Sequence, residues 1–132
     1  MNIRTIVISD YDNLISFWKK HYFVNEMDNF ERSKLFLSKN PSLSVLMEDK
    51  GKIVGTVLGS FDVRRGYLQK VVTDKNKRKK GVAKKLVEET IKRLRKLGAI
   101  YVPINCEEEI VGFYSKCGFK KTMLSQCLFP DT

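Results

Sequence analysis

Arg78-Lys79-Lys80-Gly81-Val82-Ala83 is the stretch of this 132-residue sequence best suited to hold a ligand. It follows a β-branched run, Val71-Val72-Thr73, and leads directly into residues with the spacing of an amphipathic helix. A strand that feeds a helix through a polar turn directs several unpaired backbone N–H groups at one spot, where the helix dipole adds about half a positive charge. Such a spot binds phosphate. Gly81 leaves no side chain in the way of a diphosphate, and the small Ala83 lets the backbone come close.

The charge distribution points to the same place. The chain carries 25 Lys and Arg against 15 Asp and Glu, a net charge of +10. Residues 1–50 are balanced, whereas residues 75–96 hold eleven basic side chains (Lys75, Lys77, Arg78, Lys79, Lys80, Lys84, Lys85, Lys92, Arg93, Arg95, Lys96) against Glu88 and Glu89. A cluster of this kind suits a polyanionic partner, either nucleic acid or a phosphorylated small molecule, or else a solvated helix face. Metal chemistry has little to work with. Cys106, Cys117 and Cys127 show no C-x-x-C spacing, and the one histidine, His21, is far from them in sequence. They read as packed thiols, with neither a disulfide framework nor a zinc site.

The elements that must position these residues follow from hydrophobic period. Ile3 to Ile8 suits a strand. Ser9, with Asp12 three residues on, resembles an N-cap for a helix presenting Tyr11, Leu14, Ile15, Trp18 and Tyr22 on one face. Asp28 or Asn29 caps a second helix with Phe30, Leu35 and Phe36, ended by Asn40-Pro41. Ser42 to Met47 and Ile53 to Phe61 form an antiparallel hairpin across Glu48-Asp49-Lys50-Gly51-Lys52, and Arg64-Arg65-Gly66 turns into a strand from Tyr67 to Thr73. From Gly81 to Leu97, Leu86, Val87, Thr90, Ile91, Leu94 and Leu97 share one stripe, and Gly98 stops the helix. Ala99 to Asn105 reads as strand, Glu108 to Cys117 as a short helix ended by Gly118, and Lys120 to Phe129 as a last strand. The order β-α-α-β-β-β-α-β-α-β, without linker or repeat, predicts one domain over residues 1–132 with helices on both faces of a mixed sheet.

With 42% hydrophobic and 30% charged residues, the composition argues against disorder and against a small disulfide scaffold. No apolar run approaches the roughly 18 residues that span a bilayer, and Met1 to Asp10 lacks the apolar core of a signal peptide. A cytoplasmic protein is the expectation, with no membrane partner and no metal.

The residues at the glycine junction carry a family resemblance. Arg78, Gly81 and Ala83 match the acetyl-coenzyme A motif Q/R-x-x-G-x-G/A of the GCN5-related N-acetyltransferase (GNAT) superfamily, and Asn105 followed by Gly112-Phe113-Tyr114-Ser115-Lys116-Cys117-Gly118-Phe119 resembles its N … F-Y-x-x-x-G-F segment. The resemblance is good over residues 53–120, includes the Gly55-Thr56-Val57-Leu58-Gly59 stretch of small bacterial and archaeal members, and is weak over residues 1–50. It implies an α/β fold (α+β in some schemes) with a mixed, mostly antiparallel central sheet.

The resemblance further implies that Arg78, Lys79, Lys80, Gly81, Val82, Ala83 and Lys84 hold the pyrophosphate of acetyl-coenzyme A. Val71, Val72 and Thr73 would pair with the pantetheine arm like an added strand, Asn105 would hydrogen-bond that arm from the neighbouring strand, and the two strands would splay to admit it. Tyr114 would protonate the departing sulfur. An amine of pKa near 10.4 is neutral in only about one molecule in 2,500 at pH 7, so a base must take its proton. A carboxylate or bound water would serve. The tetrahedral oxyanion calls for a preorganised donor, such as a backbone N–H near Val72. No covalent enzyme intermediate is required. Many relatives place an acidic residue on the strand where this chain has Gln69, which leaves Asp62 as the substitute base, or else as a solvated hairpin residue.

Two function classes follow. One is an N-acetyltransferase acting on a primary amine, of a small molecule or peptide, as a monomer or homodimer. The other is a basic nucleic-acid-binding module or an inactive coenzyme A sensor. The charge gathers at a strand–helix junction, and the aromatics sit at core spacing rather than on a stacking platform, which argues against nucleic acid. The acceptor pocket is expected between the first two helices and nearby strand ends, where Trp18, Tyr22 and Phe23 either line it or pack. Glu26, Asp28 and Glu107-Glu108-Glu109 are acidic groups able to draw a cationic acceptor, although the last three also suit a helix start.

Overall fold

A computed structural model describes residues 1–104, 106 and 108–120. Four strands, β1 (Asn2–Thr5), β2 (Val45–Asp49), β3 (Lys52–Phe61) and β4 (Gly66–Thr73), form an antiparallel sheet in the order β1-β2-β3-β4. Four helices accompany it: α1 (Tyr11–His21), α2 (Phe30–Lys39), α3 (Val82–Lys96) and α4 (Val111–Lys116). Alternation along the strands assigns the faces. Val45, Met47 and Val57 pack with Val82, Leu86 and Val87 of α3 and with Tyr114 of α4, whereas Leu46 and Val72 pack with Leu14, Phe17 and Trp18 of α1. Helices therefore cover both faces.

The N-terminal expectation needs two corrections, the first being that the opening strand ends at Thr5 rather than at Ile8. The second is that Asp10, not Ser9, organises the start of α1. Its carboxylate accepts the Val7 N–H at 2.9 Å and both ends of the Arg4 guanidinium at 2.8 and 2.9 Å, so residues 8–10 make a single 3₁₀ turn before the helix begins. Arg4 also pairs with Glu48 across β1 and β2. The guanidinium holds Asp10 below the usual carboxylate range. The second helix starts as expected, with Asn29 Oδ1 accepting the Arg32 N–H at 2.8 Å, and ends at Asn40. Phe30 and Leu35 are nevertheless exposed, and the face turned inward is that of Phe36 and Leu37.

Helix α3 lies very close to the sheet. A Cβ on Gly55 would come within 2.6 Å of Val82 Cγ1 and 2.8 Å of Leu86 Cδ1, and one on Gly59 would overlap the Leu43 carbonyl oxygen. The helix ends in a Schellman arrangement, with Gly98 (φ +101°) donating to the Arg95 carbonyl and Ala99 to that of Leu94. Leu97 falls outside the buried stripe and is 54% exposed. Because the Leu43 carbonyl belongs to the backbone, Gly59→Ala is expected to cost about 1–3 kcal/mol through overpacking. Thermal unfolding checks this: the midpoint should fall by several degrees, and a midpoint equal to the parent's would show that the segment around Leu43 gives way freely.

Residues 99–104 do not form the predicted strand. Among the described residues their one pairing is a parallel bridge between Arg65 and Tyr101, with the Gly66 N–H donating to the Tyr101 carbonyl at 3.0 Å. Pro103 has no N–H to extend a ladder. The expected last strand, Lys120 to Phe129, falls on residues 121–132 apart from its first residue and lies outside the described part of the chain, as do Asn105, Glu107 and Cys127. Cys106 is exposed, contrary to the packed-thiol expectation, and Cys117 is half-buried with its thiol pKa pushed up by burial.

Candidate active site

The glycine junction has the geometry its sequence suggests. β4 ends at Thr73, and Asp74 donates its N–H to the Val54 carbonyl at 2.9 Å while its carboxylate accepts that of Asn76 at 2.8 Å. Lys75–Lys77 makes a 3₁₀ turn tied to β2 by Lys77 Nζ on Asp49 Oδ2 at 3.1 Å. Lys79 (φ +66°) and Gly81 (φ +77°) then take left-handed conformations, and α3 begins at Val82. The first helical bond runs from the Lys85 N–H to the Gly81 carbonyl. Among the described residues, no protein acceptor takes the backbone N–H groups from Arg78 to Lys84. Arg78, Lys79, Lys80, Gly81 and Lys84 are exposed, Ala83 is half-buried, and Val82 is buried against the sheet. His21, at the end of α1, braces the approach: its Nδ1 accepts the Lys75 N–H at 3.4 Å, and burial lowers its pKa.

Along β4 the ladder with β3 breaks. Thr56 pairs with Val72, but Leu58 pairs with Gln69, so β4 carries one extra residue, a bulge at which Lys70 takes φ +50°. A short hydrogen-bond chain fixes it. Buried Trp18 Nε1 donates to Thr56 Oγ1 at 2.9 Å, and Thr56 Oγ1 donates to the Lys70 carbonyl at 2.8 Å. On its other edge, among the described residues, β4 meets residues 99–104 only through the Arg65–Tyr101 bridge and the Gly66 bond, so Val71, Val72 and Thr73 have no strand partner on that side.

A cavity of about 730 Å³ opens beside that bulge, between α1, α2 and β4. Trp18, Tyr22 and Phe23 line it, as does Tyr114. Tyr114 is 8% exposed, set edge-on between Phe113 and Phe119 with ring centroids 4.9 and 5.5 Å away. Burial pushes its pKa up to about 12. The phenol is therefore protonated throughout the neutral range.

The cavity's acidic side is already spoken for. Lys70 Nζ lies 3.0 Å from Asp28 Oδ2 and donates to the Phe23 carbonyl at 2.8 Å, over the rings of Trp18, Tyr22 and Phe23 at 4.6–5.3 Å. Its side chain is 10% exposed. This clasp joins the bulge to the loop between α1 and α2, and nothing in the motif pattern announced it. The available sign was a lone cation in an otherwise uncharged strand stretch.

Asp62 stands elsewhere. It sits in the β3–β4 turn, exposed, with Oδ1 accepting the N–H groups of Arg64 and Arg65 at 2.9 and 2.6 Å and Oδ2 the Tyr67 hydroxyl at 3.2 Å. Those backbone donors hold its pKa below the usual carboxylate range. It does not line the cavity.

Three comparisons bear on this arrangement. Residues 10–119 match the profile of the Acetyltransferase (GNAT) family. Glucosamine 6-phosphate N-acetyltransferase 1 of Oryza sativa subsp. japonica is 35% identical over 66 residues, half of this chain and 40% of that protein. An acetyltransferase of Pectobacterium atrosepticum is 27% identical over 128 residues, covering 91% of this chain and 88% of its own. Among solved structures, glucosamine-6-phosphate N-acetyltransferase from Arabidopsis thaliana superposes with a TM-score of 0.76 at 24% identity over 98% of both chains, a likeness of fold.

Proposed function

Since the chain belongs to the acetyltransferase (GNAT) family, we propose that it transfers an acetyl group from acetyl-coenzyme A to a primary amine within a ternary complex. The observation that carries this reading is the junction itself: a run of backbone N–H groups, Arg78 to Lys84, free of protein acceptors among the described residues, gathered by two left-handed residues at the head of a 15-residue helix. A diphosphate satisfies such donors. Arg78, Lys79, Lys80 and Lys84 add charge around it, and the pantetheine arm lies along the open edge of Val71, Val72 and Thr73 by strand addition. Asn105 is assigned to the same arm on the family resemblance.

The bulge supplies the oxyanion donor. A trans peptide is planar, so a Lys70 carbonyl turned toward Thr56 directs the Val71 N–H the opposite way. That donor is fixed before the reaction starts and stabilises charge as it forms on the thioester oxygen. Tyr114 completes the reading as the proton donor to the leaving sulfur. With a pKa raised to about 12, the phenol gives up its proton only as it receives another, so it relays the acceptor's proton rather than holding charge. For the base, water in the cavity fits better than either carboxylate. Asp28 is bound to Lys70, and Asp62 closes its own turn.

Thiol release from acetyl-coenzyme A, measured across a panel of primary amines, tests the transfer, and thermal unfolding tests the binding. Acetyl-coenzyme A should raise the unfolding midpoint and duplex DNA should not, because only a ligand of the native state stabilises it. Salt-sensitive DNA binding without any coenzyme A effect would favour the nucleic-acid reading of the basic segment.

A further inference from the structure

The clasp described above decides the charge of the acceptor pocket. Asp28 is the one carboxylate among the described residues lining the cavity, and Lys70 neutralises it at 3.0 Å. Two further cations line the same cavity from α2, Arg32 and Lys39. They are seven residues apart and so share one face of the helix, with Phe36 between them. Neither forms an ion pair among the described residues. The pocket is thus apolar in its walls, closed to cations at Asp28, and positive along α2.

Resting on the acetyl-transfer reading, we infer that the acceptor is a primary amine that also carries an anionic group, a carboxylate or a phosphate, and that Arg32 receives that group. A guanidinium suits the task because its planar fork matches either oxyanion bidentately. The aromatic and aliphatic walls accept an apolar spacer between the amine and the anion. Lys70 acts as a positioning and specificity residue here: by occupying Asp28 it removes the group that would otherwise hold a second ammonium.

One scaffold with its charge varied tests this. Benzylamine, 4-(aminomethyl)benzoate, its phosphonate counterpart and 1,4-bis(aminomethyl)benzene are compared by thiol release from acetyl-coenzyme A. The wild type should prefer the two anionic amines by at least tenfold in kcat/KM, and the stronger of the two identifies the group. Arg32→Gln should erase most of that preference through KM. Lys70→Met, which frees Asp28, should shift the ratio toward the diamine at least threefold. The melting temperature of each variant reports whether it is folded. A wild type that prefers the neutral amine or the diamine, or an Arg32→Gln that lowers all four substrates equally, overturns the inference while leaving acetyl transfer standing. If no amine of any charge releases thiol, the transfer reading falls and this one with it.

Discussion

Gly81→Glu is expected to abolish binding of acetyl-coenzyme A while leaving the fold in place. Gly81 sits at φ +77° at the head of α3, and a Cβ built on it meets nothing within 4 Å. A side chain there clashes with nothing, and its cost is the left-handed backbone, about 1–2 kcal/mol for an L-residue. The carboxylate, however, lies among free N–H groups and can occupy them itself, while repelling a diphosphate. Where the parent gains about 2.7 kcal/mol of stability at a hundredfold excess of ligand over Kd, the variant should gain nothing detectable. Gly81→Ala separates the two contributions, since it brings the strain without the charge and should retain most of the affinity. An undiminished stabilisation of Gly81→Glu would show that the diphosphate is held elsewhere.

Tyr114→Phe should act on the opposite quantity. The ring is fixed by Phe113 and Phe119, contacts that phenylalanine keeps, so affinity for acetyl-coenzyme A should stay within about threefold of the parent while kcat falls by about a hundredfold, the low end for lost acid–base catalysis. Equal losses in kcat and kcat/KM, measured by thiol release, are the signature of a group that acts in the transition state. The pH profile gives a second check. Because the folded pKa is raised to about 12, ionisation of Tyr114 removes no activity from the parent between pH 7 and 10. Unchanged turnover in the variant would reduce Tyr114 to a wall of the cavity.

The parts of the fold that were legible in the sequence are those governed by period and by turn chemistry. The α3 stripe, the β2–β3 hairpin turning at the left-handed Gly51, and the two glycine helix ends follow from residue types alone. So does the glycine junction. What stayed hidden depends on contacts between distant segments. Asp10 displaced Ser9 because a side chain from β1 reaches it. Residues 99–104 have the aliphatic content of a strand, but Pro103 lacks the donor a ladder needs. The bulge at Lys70 was the least legible feature, since a left-handed lysine has no local advertisement. It exists because Thr56, fourteen residues earlier, takes its carbonyl and Asp28, forty-two residues earlier, takes its ammonium. The candidate site therefore divides into a proposed donor half written in local sequence and a proposed acceptor half written in tertiary contacts.

No side chain of helix α2 is fully buried, and its cavity-lining Arg32 and Lys39 are exposed. Exchanges at such solvent-facing positions usually alter stability by less than about 0.5 kcal/mol. Selection can accordingly rewrite the wall proposed to choose the acceptor without endangering the fold, while the face of α3 seated on Gly55 and Gly59 admits little variation. Descendants of this chain should diverge in what they acetylate long before they diverge in what they draw the acetyl group from.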